Sequence, residues 1–592
     1  MKPQIAADVR CVYIDPPFNT GDDGFQYKDD YQHSSWCCLL FERLLLAQQL
    51  LRQDGCIAIS IDQEELGTLQ RLCDDIFGRI NRLPMITVKR GSVTGHKVIN
   101  PGVVNISEYV LVYARDRSEW VGNDAYAERG RDSRYSTMIV NREMAYSEWR
   151  FVSLLEAVAT AYGVPKRKLR AHFGEGFEEA MTKFVTDHAD AVVQPVSVDR
   201  SGVGAEFLLA VEESESQPGK VMVYRRQTHP DVYLIDGKKL IFYEDKLREV
   251  AGRQVTTERA SDIWLDVLPN DLHNEGGVEL PKGKKPEALV ARLYEMGSGP
   301  GELTLDFFAG SGTALAAAQK LGRRWIGVEA ADYFDEKPLR RMKNVLFGEQ
   351  RGVSQMCSWK GGGVFKYLRL ESYEDALNNL ETSRTRSQQL LLGAVDAKGE
   401  DGLKEQYLLR YMLDVETRGS QSLLNVQAFS DPTAYKLKVK RPGSDESREV
   451  NVDLLETFNW LIGLTVRHIA APQSFAAVFD RDGEKRLGFA GKGRLKPDAT
   501  GPWWFRTVTG TTPDGRKTLV IWRKLTGDPE QDNLVLDEWF TKQGYAAKDS
   551  EFDLIYVNGG NNLENLKTVD DKWKVRLIEE DFHRLMFEMD GV

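Results

Sequence analysis

The run Val12-Tyr13-Ile14 leads directly into Asp15-Pro16-Pro17-Phe18-Asn19-Thr20-Gly21, and this junction constrains the chain more than any other stretch. β-branched and aromatic residues favour a buried strand, and two consecutive prolines cannot continue its ladder. An acid, two prolines and an aromatic ring therefore share a strand's carboxyl end, where open α/β sheets place their ligand chemistry. Asp15 accepts a hydrogen bond from an amine, and Pro16, with a fixed φ and no N–H, turns its carbonyl towards the same amine. Phe18 offers a flat face on which a planar base stacks. A ring amine held in this way loses conjugation and gains nucleophilicity. Asp15, Pro16, Pro17 and Phe18 are thus the candidate catalytic residues, and a nucleobase amino group is the candidate substrate.

The segments that follow alternate. Leu39, Leu40, Phe41, Leu44, Leu45, Leu46, Leu50 and Leu51 predict a helix buried around most of its surface, with Ser34 or Ser35 as its cap. His33 and Trp36, just before it, are read as capping or core residues. Cys56 to Ile61 predicts a second core strand, Glu64 to Phe77 an amphipathic helix stopped by Gly78, and Tyr109 to Ala114 a further strand. Strand–helix–strand alternation means a mostly parallel α/β sheet.

From about Asp116 to Ser261 charge rises and apolar periodicity weakens, with arginines at 129, 131, 134, 142 and 150. Asp236-Gly237 between alternating strands predicts a hairpin turn, and Asp231 beside it is read as part of a surface turn. The α/β pattern returns with a helix over 286–296, a strand over 303–308, a helix over 313–321 and a strand over 325–329. Beyond 350, helices are expected near 373–395, 402–414 and 454–463, with strands near 435–441 and 450–453 and β-rich runs in the tail. The expected organisation is a catalytic half (1–115), an inserted domain (116–261), a second half of the same sheet (262–350) and an α+β C-terminal region (351–592).

Phe308-Ala309-Gly310-Ser311-Gly312 lies between a predicted strand and a predicted helix. Gly310 and Gly312 allow close approach to the backbone, and the helix starting at Thr313 directs its free N–H groups at a ligand. Glu329 ends the next strand, where an acid that binds ribose hydroxyls belongs. Asp306, Phe308, Ala309, Gly310, Gly312, Thr313 and Glu329 form the candidate cofactor site. No Gly-Lys-Ser/Thr phosphate loop is present, which excludes ATP hydrolysis by such a loop. A glycine loop for S-adenosylmethionine and an Asp-Pro-Pro-Phe strand end on one sheet bring a methyl sulfonium to a target amine, with positioning carrying most of the work.

With 592 residues the chain is too long for one core. Its 42% hydrophobic and 28% charged content is that of a soluble globular protein. No apolar run approaches the ~20 residues of a membrane span, and no signal peptide opens the chain. The six cysteines show no metal spacing, and five fall in expected core segments, so reduced buried thiols in a cytoplasmic protein and no metal are expected. The net charge of −11 says little about nucleic acid, because DNA binding needs only a local basic surface. Lys166, Arg167, Lys168 and Arg170 form one such cluster, and Lys436, Lys438, Lys440 and Arg441 another.

Asp15 to Gly21 preceding Asp306-Phe307-Phe308-Ala309-Gly310-Ser311-Gly312 resembles the permuted β-class amino-methyltransferases of DNA, and more narrowly the Mod subunits of type III restriction–modification systems. The similarity extends through Tyr31 to Trp36, Asp54 to Asp62, Ser107 to Ala114, Lys284-Lys285-Pro286, Gly361 to Tyr367 and the Trp522-containing tail. It implies a Rossmann-like S-adenosylmethionine-dependent sheet, a role for Lys285 at the cofactor, and target recognition by the insertion on double-stranded DNA. It also implies a Mod dimer and a Res partner carrying helicase and nuclease. Asp rather than Ser at position 15 goes with adenine N6 rather than cytosine N4, on a base flipped from the duplex. A DNA-recognition scaffold with little activity of its own is the reading from another class. Family members usually carry an upstream Gly-Asp-containing segment, whereas 14 residues precede Asp15 here; a start assigned too late or a shortened form is expected.

Overall fold

The computed structural model describes residues 8–20, 31–91, 103–227, 229–250, 253–268, 272–280, 283–370, 426–440, 446–490, 494–546, 551–567 and 573–587, with single positions between. Two compact units divide it, one being Ala7–Val364 and the other carrying Phe365–Val592.

The first unit is built on β1 (Val9–Ile14), α1 (His33–Leu50), β2 (Leu51–Ile61), α2 (Gln63–Phe77), β3 (Ile86–Lys89) and β4 (Ser107–Ala114). After the insertion come β5 (Ile263–Trp264), α3 (Glu287–Gly297), β6 (Leu303–Asp306), α4 (Thr313–Lys320), β7 (Arg324–Gly327) and α5 (Pro338–Leu346). The strands form one sheet in the order β5-β3-β4-β2-β1-β6-β7. β1 is buried at all six positions, which is why its sequence shows no polar alternation. It pairs in parallel with β2, Tyr13 opposite Ala58, and with β6, Val12 opposite Leu305. The order of the strands reverses between β1 and β6, so this is the topological switch point of the sheet. β4 runs antiparallel to both neighbours. The sheet is therefore mostly parallel with one reversed strand, a direction that a hydrophobic run does not encode.

Three local expectations need correction. α1 starts at His33 with Gln32 as its cap residue and no side-chain cap, not at Ser34 or Ser35. It is also one-sided: Trp36, Leu40, Leu44, Ala47 and Leu50 are buried, while Phe41 and Leu46 stand 44% and 46% exposed. The buried set keeps helical spacing, and the surplus leucines fall outside that stripe. Cys38 lies exposed and Cys37 half-buried on the same helix, so only Cys11, Cys56 and Cys73 are buried thiols. α2 behaves as read, with Asp62 capping it and Gly78 ending it at φ +87.

Residues 126–259 pair outside this sheet. Six antiparallel strands run in the order Phe151–Ser153, Thr137–Ile139, Val192–Ser197, Lys238–Phe242, Val232–Ile235 and Met222–Tyr224, and a separate three-stranded sheet accompanies them. Asp236 and Gly237 both take positive φ, 52 and 71, which is the hairpin turn expected. Helices Leu154–Tyr162 and Phe177–Asp187 close a core around Val158, Phe184, Val192 and Tyr243.

The second unit centres on strands Trp503–Thr511, Lys517–Arg523, Leu554–Val557 and Val575–Leu577, with Trp522 fully buried among Phe429, Phe458 and Phe582. The helices expected near 373–395 and 402–414 lie outside the described residues apart from single positions. Among the described residues no helix is long and apolar enough to cross a membrane, and no cluster of His, Cys, Asp and Glu could hold a metal ion.

Candidate active site

β1 delivers Asp15 to the carboxyl edge of the sheet, and the loop behind it is pinned from three sides. The indole N–H of Trp36, fully buried, donates to the Pro17 carbonyl at 2.8 Å. Asn19 holds φ +59, donates to Glu65 at 2.9 Å and accepts from the Tyr31 N–H at 2.8 Å. His33 meets the same Glu65 oxygen at 3.0 Å. Asparagine is among the few residues that tolerate this left-handed φ, and here its amide is held by Glu65 and the Tyr31 N–H. Tyr13 and Ser60 hydroxyls are hydrogen-bonded at 3.0 Å one layer below.

Charges alternate around the acid. The Lys285 ammonium sits 3.2 Å from Asp15 Oδ1, 3.3 Å from Glu108 Oε2 and 4.5 Å from the centre of the Phe18 ring. Glu108, at the start of β4, takes Arg90 at 3.1 Å on its other oxygen, and Arg90 reaches Asp62 at 3.2 Å. Burial pushes the Asp15 carboxyl up to about 6, with Lys285 opposing and Glu108 adding to the rise. Burial works against the Lys285 ammonium, but Asp15 and Glu108 outweigh it and hold its pKa above the usual lysine value.

Next to β1, β6 delivers the glycine loop. Asp306, buried, accepts the Phe308 N–H at 2.9 Å, and its burial raises its pKa far above the carboxylate range. Ala309 donates to the Val328 carbonyl at 3.0 Å. Gly310 donates to Glu329 Oε2 at 2.7 Å, and Glu329 Oε1 accepts the Ala331 N–H at 2.9 Å. Gly310 and Gly312 hold φ +53 and +79, and a Cβ at Gly312 would lie 3.1 Å from the Pro338 Cα. Side chains enter neither position without strain.

Beneath the loop lies a buried ionic cluster. Arg341 donates to Thr313 Oγ1 at 2.8 Å, Ser311 Oγ at 3.3 Å and Glu287 Oε1 at 2.7 Å. Glu287 also takes Lys320 at 2.8 Å, and all three charged side chains are fully buried. Thr313 Oγ1 in turn donates to the Lys285 carbonyl at 3.1 Å, tying the start of α4 to the segment that carries the lysine.

The residues singled out in sequence are thus distributed as follows. Asp15 to Phe18 and Asp306 to Thr313 stand on the adjacent strands β1 and β6, with Glu329 just beyond β7. Lys285, expected at the cofactor, presents its ammonium to Asp15. Thr313 is buried, its hydroxyl engaged by Arg341 and the Lys285 carbonyl. Lys166, Arg167, Lys168 and Arg170 are exposed in the insertion, with Lys166 reaching Ser153 at 3.0 Å and Arg170 lying 5.2 Å over Phe177. Sequence reasoning missed Glu108, Arg90, Glu287 and Arg341. A carboxylate opening an otherwise apolar strand was the visible signal for Glu108, and charges on the apolar faces of α3 and α5 were the signal for the other pair.

The sequence profile of a family described as DNA methylase matches residues 9–336. The chain is 27% identical over 499 residues to the probable type III restriction-modification enzyme HindVI Mod subunit of Haemophilus influenzae, covering 78% of this chain and 62% of that protein. It is 28% identical to the EcoPI Mod subunit of Escherichia phage P1, over 61% of this chain and 59% of that one. With the EcoP15I Mod subunit of Escherichia coli it shares 27% identity over 54% and 53% of the two chains. The chain spans about three fifths or less of the length of these curated relatives.

Proposed function

The chain belongs to the DNA methylase family, and from that premise we propose that it methylates N6 of an adenine flipped out of DNA, as the modification subunit of a type III restriction–modification system. One observation carries the reading: Asp15 and the glycine loop close neighbouring parallel strands, with Val12 directly opposite Leu305. An amine at Asp15 and a nucleoside at the loop therefore share one edge of the sheet.

The residues present fit S-adenosylmethionine. Gly310 keeps part of its backbone exposed at the loop, and each Glu329 oxygen that accepts a main-chain N–H keeps a second lone pair for a ribose hydroxyl. When bound, the cofactor supplies a methyl group on a positively charged sulfur. Everything else falls to the chain. Phe18 stacks the base, Asp15 and the Pro16 carbonyl take the two amine hydrogens, and the indole of Trp36 fixes the turn between them. With a pKa of about 6, Asp15 is a carboxylate at neutral pH; it stabilises positive charge developing on the amine and accepts its proton afterwards.

Asp15 in place of Ser favours adenine over cytosine. Double-stranded DNA, a second Mod copy, a Res helicase–nuclease partner and a cytoplasmic location complete the proposal; the HindVI, EcoPI and EcoP15I relatives, named as Mod subunits, support it. Incubating purified protein with labelled cofactor and DNA, then digesting to nucleosides, tests it. Label in N6-methyladenine, absent with Asp15→Ala, is expected; label in N4-methylcytosine would overturn the adenine assignment.

A further inference from the structure

Lys285 lies where the proposed substrate must go. The ammonium 4.5 Å from the ring centre covers one face of Phe18, and the residue is only 8% exposed, so little of the ring is left open to a stacked base. Both cannot use it together. A buried ammonium that loses its partners is strongly unfavourable, so the lysine must have a second place to stand. Glu108 provides it. Its Oε2 is 3.3 Å from the ammonium, and Arg90 holds its other oxygen in place. The Lys285 carbonyl is tied to Thr313, so only the flexible four-carbon stem has to move. The two contacts, 3.2 Å to Asp15 and 3.3 Å to Glu108, are nearly equal, so the ammonium already stands between both carboxylates.

On the reading of the site as an adenine methylase, we propose that Lys285 is a positioning residue exchanged between Asp15 and Glu108, withdrawing to Glu108 as the base stacks on Phe18. Glu108 is then a second positioning residue, acting through the lysine. The exchange keeps Lys285 paired throughout and frees Asp15 for the amine only when a base is present. The charge on Asp15 reports the arrangement. Lys285 faces it from the segment before α3, Glu108 from β4, Asp306 from β6 and Tyr333 from beyond β7, while Tyr13 shares its own strand. Of these, Lys285 favours the carboxylate and Glu108 opposes it.

The test compares Lys285→Met and Glu108→Gln with the unaltered full-length protein, with Lys285→Arg and Glu108→Asp as conservative controls. Methyl transfer is followed against pH, and the Asp15 carboxyl is titrated directly by carbon NMR of carboxyl-labelled aspartate, its signal assigned by loss in Asp15→Asn. Lys285→Met should move the acid limb and the carboxyl midpoint up by about one pH unit, and Glu108→Gln should move both down. Glu108→Gln should also raise the KM for DNA several-fold while leaving the KM for the cofactor unchanged, and Glu108→Asp should restore most of it. Limbs and midpoints that stay put or shift in the same direction, in proteins that remain folded, would overturn the inference. Unaltered protein that transfers no methyl group would instead remove the function proposed above, and the NMR midpoints would still decide whether Lys285 and Glu108 act on Asp15 in opposite senses.

Discussion

Asp15 is pulled two ways: burial makes its charge costly, and the proposed chemistry needs that charge. Its pKa of about 6 is the compromise. Methyl transfer is therefore expected to fall with unit slope below about pH 6 in a kcat/KM profile; a profile flat to pH 5 would dissociate the rate from this carboxylate. The sign for stability is opposite. A carboxyl whose folded pKa is raised binds protons more tightly when folded, so it favours the folded state less as pH rises from about 4 through 6. Trp36→Phe keeps an aromatic ring but removes the N–H and one ring of a fully buried indole, leaving a cavity. It should cost about 2–4 kcal/mol in urea unfolding and lower kcat with little change in the KM for DNA, because Pro17 is no longer held. The tetrad proposed as catalytic stands out in the sequence because an acid, two prolines and an aromatic are contiguous and each limits its own backbone. The chain of contacts from Asp15 through Lys285 to Glu108 and Arg90 was not legible, because side chains from separate elements converge only after the sheet forms.

At the scale of elements, the glycine loop depends on what lies beneath it. Arg341 and Glu287 are fully buried and join α5, α3 and the start of α4 through Ser311 and Thr313. Arg341→Met should destabilise by about 3–5 kcal/mol, because it leaves a buried carboxylate short of a partner; the unfolding midpoint in urea checks it. Gly312→Ala should lower cofactor affinity in calorimetry with a smaller loss of stability, since a left-handed φ and a Cβ 3.1 Å from Pro338 distort the loop locally. β1, β2, β4, β6, β7 and helices α1 to α4 were legible from periodicity, and Gly78 and the insertion's Asp236-Gly237 marked turns correctly, whereas the short β3 and β5 and the helix α5 went unread. Two further features were not legible. The reversed direction of β4 leaves no trace in a hydrophobic run, and the one-sidedness of α1 was hidden because leucines occupy its exposed face too.

Over the whole molecule, a net charge of −11 coexists with the exposed Lys166–Arg170 cluster, so any hold on DNA must be local and sensitive to salt. Replacing Lys166, Arg167 and Lys168 with Gln should weaken binding by a similar factor on every DNA sequence and reduce the salt slope by about one for each phosphate no longer neutralised. Fluorescence anisotropy over a salt series measures both; an unchanged slope would remove the cluster from the DNA-binding surface. The proposed division of labour rests on topology: β1 and β6 are neighbours in the sheet but are separated in sequence by the insertion, whose strands, among the described residues, pair with one another. The most direct test of the central claim is methylation-sensitive long-read sequencing of DNA from cells expressing the chain. N6-methyladenine in one short asymmetric sequence context, lost with Asp15→Ala, is the expected result. Unmodified DNA despite folded protein with bound cofactor would contradict it and leave the recognition scaffold as the better account.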